Sequence, residues 1–261
     1  MAATSLYLPA NESARSMPTL DSRGRWSAVA ARTVYFGHRS VGDDIIAGVD
    51  ALNGKYSLGL RLVRTREPSV VSGPAFVDFH AGGNRYPASK NAAMLEVLDR
   101  RLHPDRPIVL LKYCYADIGH GTDVHELFAA YRTTVGKIRS RHPDATMVHS
   151  TVPLTTVETA GKAVVKALFG RSSVRQDAVA RQQYNSLVRA AYSDTEPLFD
   201  IARIESTNGG GRTASFKWRG EEIETLASEY SRDGGHLNAR GQAAVATELL
   251  NVLAAVAGSD S

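Results

Sequence analysis

The chain has 261 residues, 43% hydrophobic and 22% charged, which is enough for one large α/β domain with a real core. Its 31 basic and 27 acidic residues leave a net charge of +4 with no block of like charge, which argues against a nucleic-acid-binding arm. A single cysteine, Cys114, excludes intramolecular disulfides and any cysteine-only metal site.

Residues 1–25 are polar and broken by prolines and read as a tail or arm, with a single domain expected over 26–261. The opening has no basic stretch followed by an apolar one, so no secretory signal is expected. No uninterrupted apolar run reaches the roughly 18 residues of a membrane span, and a soluble cytoplasmic protein is the expectation. Strand-like runs then recur: "TVYF" (33–36), "LGLRLV" (58–63), "AFVDF" (75–79), "PIVLLKY" (107–113), "TMVHSTV" (146–152) and "PLFDIA" (197–202). Helical patterns fall between most of them, over 41–51, 88–102, 123–141, 176–193 and 239–257. Strands alternating with helices of this length predict βαβ units and a parallel sheet covered on both faces. Two stretches break the rhythm, 154–174 and 203–228; each follows a strand end and could overhang a site.

The first strand runs into "FGHRSVG" (36–42), which sets Ser40 at the strand's carboxyl end, where open α/β sheets bind ligands. Ser40 is there either as a nucleophile or as an ordinary turn residue. Near the other end, "YSRDGGHLNARGQ" (230–242) spaces Asp233 and His236 three apart across two glycines, which permits a tight turn folding the carboxylate onto the imidazole. An aspartate that fixes the histidine tautomer frees the other ring nitrogen to take a serine proton. The competing reading is a plain loop with a surface histidine. Asn238 is placed to cap the helix that follows.

Together the two segments resemble the SGNH or GDSL hydrolase superfamily over about residues 32–256, in the branch that carries Gly-His-x-Ser-Val-Gly, here Gly37-His38-Arg39-Ser40-Val41-Gly42. "DGGHLNARGQ", "YCYADI" (113–118), "STVPLT" (150–155) and "RQQYNSLVR" (181–189) extend the likeness. The resemblance implies a three-layer α/β/α sandwich with a flavodoxin-like parallel sheet of about five strands. It also implies Ser40 as nucleophile, His236 as base and Asp233 as its orienter, acting on an acyl ester of small-molecule or carbohydrate type with no cofactor. The acceptor of the acyl group stays open: water in an esterase or deacylase, another molecule in an acyltransferase; a diverged binding protein is the third alternative. The superfamily's oxyanion hole uses the serine N–H, a glycine N–H and an asparagine side chain, but Ala116 stands where the asparagine is expected. "HAGGNRYP" (80–87) offers Gly83 for the backbone donor and Asn84 for the side-chain donor, with a turn role for Asn84 equally open.

Cys114 continues an apolar strand and has no adjacent base, so it reads as a small buried hydrophobe. His38, His80 and His120 share no metal-ligand spacing, so no metal is expected, and His38 and His80 are assigned structural or substrate-contacting roles. An α/β-hydrolase elbow is disfavoured because His38 would replace its first glycine.

Overall fold

The computed structural model describes residues 20–102, 106–157 and 172–259. The sheet strands are β1 (Thr33–His38), β2 (Leu62–Arg64), β3 (Ala75–His80), β4 (Ile108–Leu111), β5 (Thr146–Ser150) and β6 (Leu198–Phe199). They form one sheet in the order β2-β3-β1-β4-β5-β6, and every neighbouring pair is parallel. Without the three-residue edge strand β2 this is the flavodoxin-like order that the resemblance implies.

The side-chain period of two sorts the central strands into two cores. Val34 and Phe36 of β1 face a cluster with Ile45, Val49, Leu249 and Leu253, contributed by α2 (Val41–Tyr56) and α7 (Ala239–Ser259). Tyr35 faces the opposite cluster, with Met94, Leu98, Tyr131 and Tyr184 from α3 (Pro87–Arg100), α4 (Val124–Arg141) and α5 (Ser172–Tyr192). Burial on both faces is why β1 and β4 read as continuous apolar runs. Glycine is required by close approach at position 48, where a Cβ would lie 2.3 Å from Gln242 O, so α2 and α7 touch backbone to backbone.

Several expected boundaries are corrected. Residues 1–19 lie outside the described residues, and α1 (Leu20–Ser27) spans the junction between the expected arm and the domain. Trp26 is buried and donates Nε1–H to Asn251 Oδ1 at 2.8 Å, which ties α1 to α7. "LGLRLV" becomes strand only from Leu62, because the Asn53 side chain pairs with both backbone groups of Leu60 and holds a turn there. "PLFDIA" stops at Phe199 because Asp200 caps the short helix α6 (Ile201–Ser206), its side chain accepting from Arg203 N–H. The helix at 239–257 does reach the length and apolarity that could cross a membrane; here it lies in the core, with Val245, Leu249, Leu250 and Leu253 fully buried.

Of the two irregular stretches, 158–171 lies outside the described residues. The other contains a hairpin, β7 (Ser215–Trp218) and β8 (Glu221–Glu224), closed by Arg219 and Gly220 at φ 50° and 93°. Two positive φ values are what a two-residue hairpin turn matched to strand twist requires. Phe216 and Ile223 seat the hairpin on Ala178 of α5.

Behind the sheet's carboxyl edge, Glu205 of α6 is wholly buried, and burial pushes its carboxyl up from 4.5 to about 8 against the opposing Leu154 N–H. A raised folded value means that the native state holds a proton the unfolded chain has released. Stability is then full below about pH 4.5 and falls as pH rises through about 8, by roughly 1.4 kcal/mol per pH unit. Urea midpoints across pH 5 to 9 should decline less steeply for Glu205→Gln than for the wild type; parallel curves would refute the buried acid.

Candidate active site

The carboxyl ends of β1, β3 and β4 lie side by side, since Gly37 is in register with Phe79 on one side and with Leu111 on the other. Three short turns leave these ends, carrying Ser40, Gly82 and Tyr115 respectively, and the segment before α7 brings Asp233 and His236 over them.

Ser40 sits at φ 55° and ψ −112°, a conformation that costs a non-glycine residue about 1–3 kcal/mol. The strain is held by the first turn of α2: Asp43 N–H donates to Ser40 O at 2.7 Å and Gly42 N–H to Arg39 O at 3.1 Å. Arg39 Nε in turn donates to Gly82 O at 2.7 Å, bracing the serine turn against the one after β3. Asp44, also on the first turn, accepts from Leu237 N–H and from the Gln242 amide, both at 3.1 Å. The helix that follows Ser40 therefore grips the segment that carries His236.

Ser40 Oγ lies 2.8 Å from His236 Nε2, and His236 Nδ1 lies 2.8 Å from Asp233 Oδ2. The other Asp233 oxygen accepts from His236 N–H at 2.8 Å and Gly235 N–H at 3.1 Å. Those two backbone bonds, with the imidazole bond, hold the carboxyl down at about 2, so it stays ionised across the working pH range. The two glycines of "DGG" answer different demands. Gly234 supplies φ 97°, and its carbonyl accepts from Thr156 N–H at 2.8 Å. At Gly235 a Cβ would press 3.0 Å from Tyr115 Oη, so that glycine makes room for the tyrosine. Asn238 Oδ1 accepts from Arg240 and Gly241 N–H and caps α7, as the sequence predicts.

Tyr115 was not singled out by sequence reasoning. Its ring meets His236 edge to face at 6.1 Å and its hydroxyl sits beside the Ser40 side chain. Burial pushes that hydroxyl above the ordinary phenol value, so it is a protonated donor. Arg181, buried on α5, donates to Tyr115 O at 3.4 Å and to Thr155 Oγ1 at 3.2 Å, fixing the turn from beneath.

The glycine-rich loop is arranged differently from the expectation. Gly83 N–H donates to Ser89 Oγ at 3.0 Å and is occupied; the Gly82 amide, one residue earlier, donates to nothing among the described residues. Asn84 is exposed, its Oδ1 accepting from Lys90 Nζ at 3.2 Å. The loop is stapled to the β4 end by Asp117, which accepts from Arg85 N–H and Cys114 N–H at 2.7 Å each and pairs with buried Lys90. Ala116 lies within that staple.

His38 is completely buried, which removes it from direct substrate contact. Its Nε2–H is donated to Asp78, while Nδ1 has no partner among the described residues and faces Gly42, where a Cβ would stand 2.1 Å away. Burial lowers the His38 value and keeps the ring neutral; burial works against ionised Asp78 too, but its bonds from His38 and Arg64 prevail and hold it low. The imidazole is a wedge behind the serine turn, and it explains why position 42 is glycine. His80 is half exposed, with Nε2 3.1 Å from Asp43 Oδ1. Ligand atoms of His38, Asp43 and His80 gather within 4.8 Å, a proximity their spacing in the sequence hides. Arg64 already occupies this group, with Nη2 3.1 Å from Asp43 Oδ1 and Nε on Asp78. Cys114 is wholly buried.

The model of the GDSL-like lipase/acylhydrolase family matches residues 40–244. Among solved structures, a GDSL-like lipase from Bacteroides thetaiotaomicron is similar with a TM-score of 0.52 at 9% identity, covering 97% of this chain and 96% of that one. The periplasmic domain of a lipopolysaccharide acetyltransferase from Salmonella ser. Paratyphi A matches with a TM-score of 0.47 at 13% identity, over 92% of this chain and 90% of that one. The likeness to the Bacteroides structure is one of fold. No curated protein matches the chain.

Proposed function

Because the chain belongs to the GDSL-like lipase/acylhydrolase family, we propose that it is a serine esterase or deacylase that works through an acyl-enzyme on Ser40. The observation that carries this reading is the continuous chain Ser40 Oγ, His236 Nε2, His236 Nδ1, Asp233 Oδ2, with 2.8 Å at both links. Ser40 Oγ attacks the ester carbonyl as its proton passes to His236 Nε2; the C–O bond to the alcohol then breaks and the alcohol departs with that proton. Water enters, gives a proton to His236 and its oxygen to the acyl carbon, and Ser40 is regenerated. Asp233 stays ionised throughout, holding the ring so that Nε2 faces the serine.

The negative charge that develops on the carbonyl oxygen needs donors that are free when it forms. The Ser40 and Gly82 amides meet that condition, and in this reading the Tyr115 hydroxyl beside Ser40 serves as the side-chain donor that Ala116 lacks. The test is a fluorophosphonate label with mass mapping, followed by rates of acyl release with and without added alcohols and amines. An adduct on Ser40 and release to water is the expected result. An adduct elsewhere sinks the nucleophile assignment, whereas release that depends on an added acceptor makes the protein an acyltransferase.

A further inference from the structure

A cavity of about 630 Å³ lies against the serine turn, lined by Arg39, Arg64, Thr65, Arg66, Phe79 and His80. Arg39 immediately precedes Ser40, and His80 ends β3 in register with His38 of β1, so the cavity opens on the β3 side of the nucleophile. Three of its six lining residues are arginines, and they are not equally committed. Arg64 is spent on Asp78 and Asp43. The bond recorded for the Arg39 guanidinium is from Nε to the neutral Gly82 carbonyl, which leaves its outer nitrogens directed elsewhere. Arg66 makes no hydrogen bond or ion pair among the described residues and is exposed. The nearby carboxylates, Asp43 and Asp78, are bonded to Arg64, His38 and His80, and three guanidiniums against these two carboxylates leave the group net positive. The result is a concave wall beside the reacting serine that carries two guanidiniums without acidic partners among the described residues, and Thr65 and Phe79 line it as well.

We propose that this cavity binds an oxyanion of the substrate, a carboxylate or phosphate borne on the ester, held by Arg39 and Arg66. Guanidinium forks match either group with paired, charge-assisted hydrogen bonds. The proposal rests on Ser40 as nucleophile for its catalytic consequence: a substrate anchored there by its charge presents its carbonyl at the adjacent serine. It names the substrate class as anionic acyl esters.

Two ester pairs that differ by one negative charge provide the test, each enzymatic rate taken after subtraction of the spontaneous hydrolysis measured without protein. 4-Nitrophenyl hemisuccinate against 4-nitrophenyl butyrate places the charge on the acyl side. 4-Acetoxybenzoate against 4-acetoxytoluene places it on the alcohol side. The wild type should favour the charged member of one pair by roughly tenfold or more in kcat/KM at low salt, and the preference should shrink as ionic strength rises. The pair that shows it identifies the half of the substrate that enters the cavity. Arg66→Glu should abolish or invert the ratio. A wild-type ratio near one in both pairs, or a ratio unmoved by Arg66→Glu, overturns the proposal. Calorimetric titration of succinate and inorganic phosphate into Ser40→Ala protein, with and without Arg66→Glu, separates the two readings. Binding lost with Arg66→Glu, in a protein whose wild type hydrolyses no ester, upholds the cavity and defeats the serine assignment. Hydrolysis without charge preference does the reverse, and neither binding nor hydrolysis defeats both.

Discussion

Ser40→Ala should lower kcat by about four orders of magnitude or more while leaving the fold intact, because members of a triad act as a unit and losing one forfeits nearly the whole covalent route. The fold is spared because alanine meets the same backbone strain at φ 55° that serine already bears. Ser40→Gly makes the sharper comparison. Glycine adopts this conformation at little steric cost, so the variant should gain on the order of 1 kcal/mol in unfolding free energy, read from a higher denaturant midpoint, and still be inactive. Strain at the nucleophile would then be a stability cost tied to the reaction. Unchanged turnover in Ser40→Ala would remove the serine from the chemistry; equal stability of Ser40→Gly and wild type would remove the strain.

The residues legible from sequence are those whose partners lie close along the chain or inside one motif. Asp233 and His236 need only a three-residue turn to meet, and the apolar runs of β1 and β4 announce a sheet covered on both faces. Where contact depends on register between distant strands, the sequence is silent. His38 reads as either a structural or a substrate-contacting residue until β3 pairs beside β1 and brings Asp78 against its ring. Gly82 and Gly83 are indistinguishable in "AGGN", and the choice between them is made by Ser89, which engages only the second amide. Tyr115 carries no motif signal of its own. Gly235, more than a hundred residues later in the chain, leaves room for its approach to Ser40, and nothing in the DGG turn itself points back to residue 115. The arginines of the cavity come from two segments, 39 and 64–66, and neither forms a charge run.

The largest effect outside the triad should come from Tyr115. If its hydroxyl donates to the developing oxyanion, Tyr115→Phe removes one donor and keeps the ring that packs on Gly235 and His236. The expected loss in kcat is on the order of a hundredfold to a thousandfold, with KM little changed, since the bond strengthens mainly in the transition state. Asn84 is the competing side-chain donor. Its carbonyl is fixed on Lys90, which leaves its amide N–H groups free, but the residue is exposed and makes no hydrogen bond to Ser40 among those described. Asn84→Ala should therefore cost far less than Tyr115→Phe. The reverse order, a hundredfold loss in Asn84→Ala beside a near-silent Tyr115→Phe, would hand the role to the asparagine. Ala116→Asn adds a further check from the same turn. Recovery of kcat when it is combined with Tyr115→Phe would place a carboxamide from position 116 in the same hole that the hydroxyl serves. Rescue of the asparagine variant alone would show that the hole is built around residue 84.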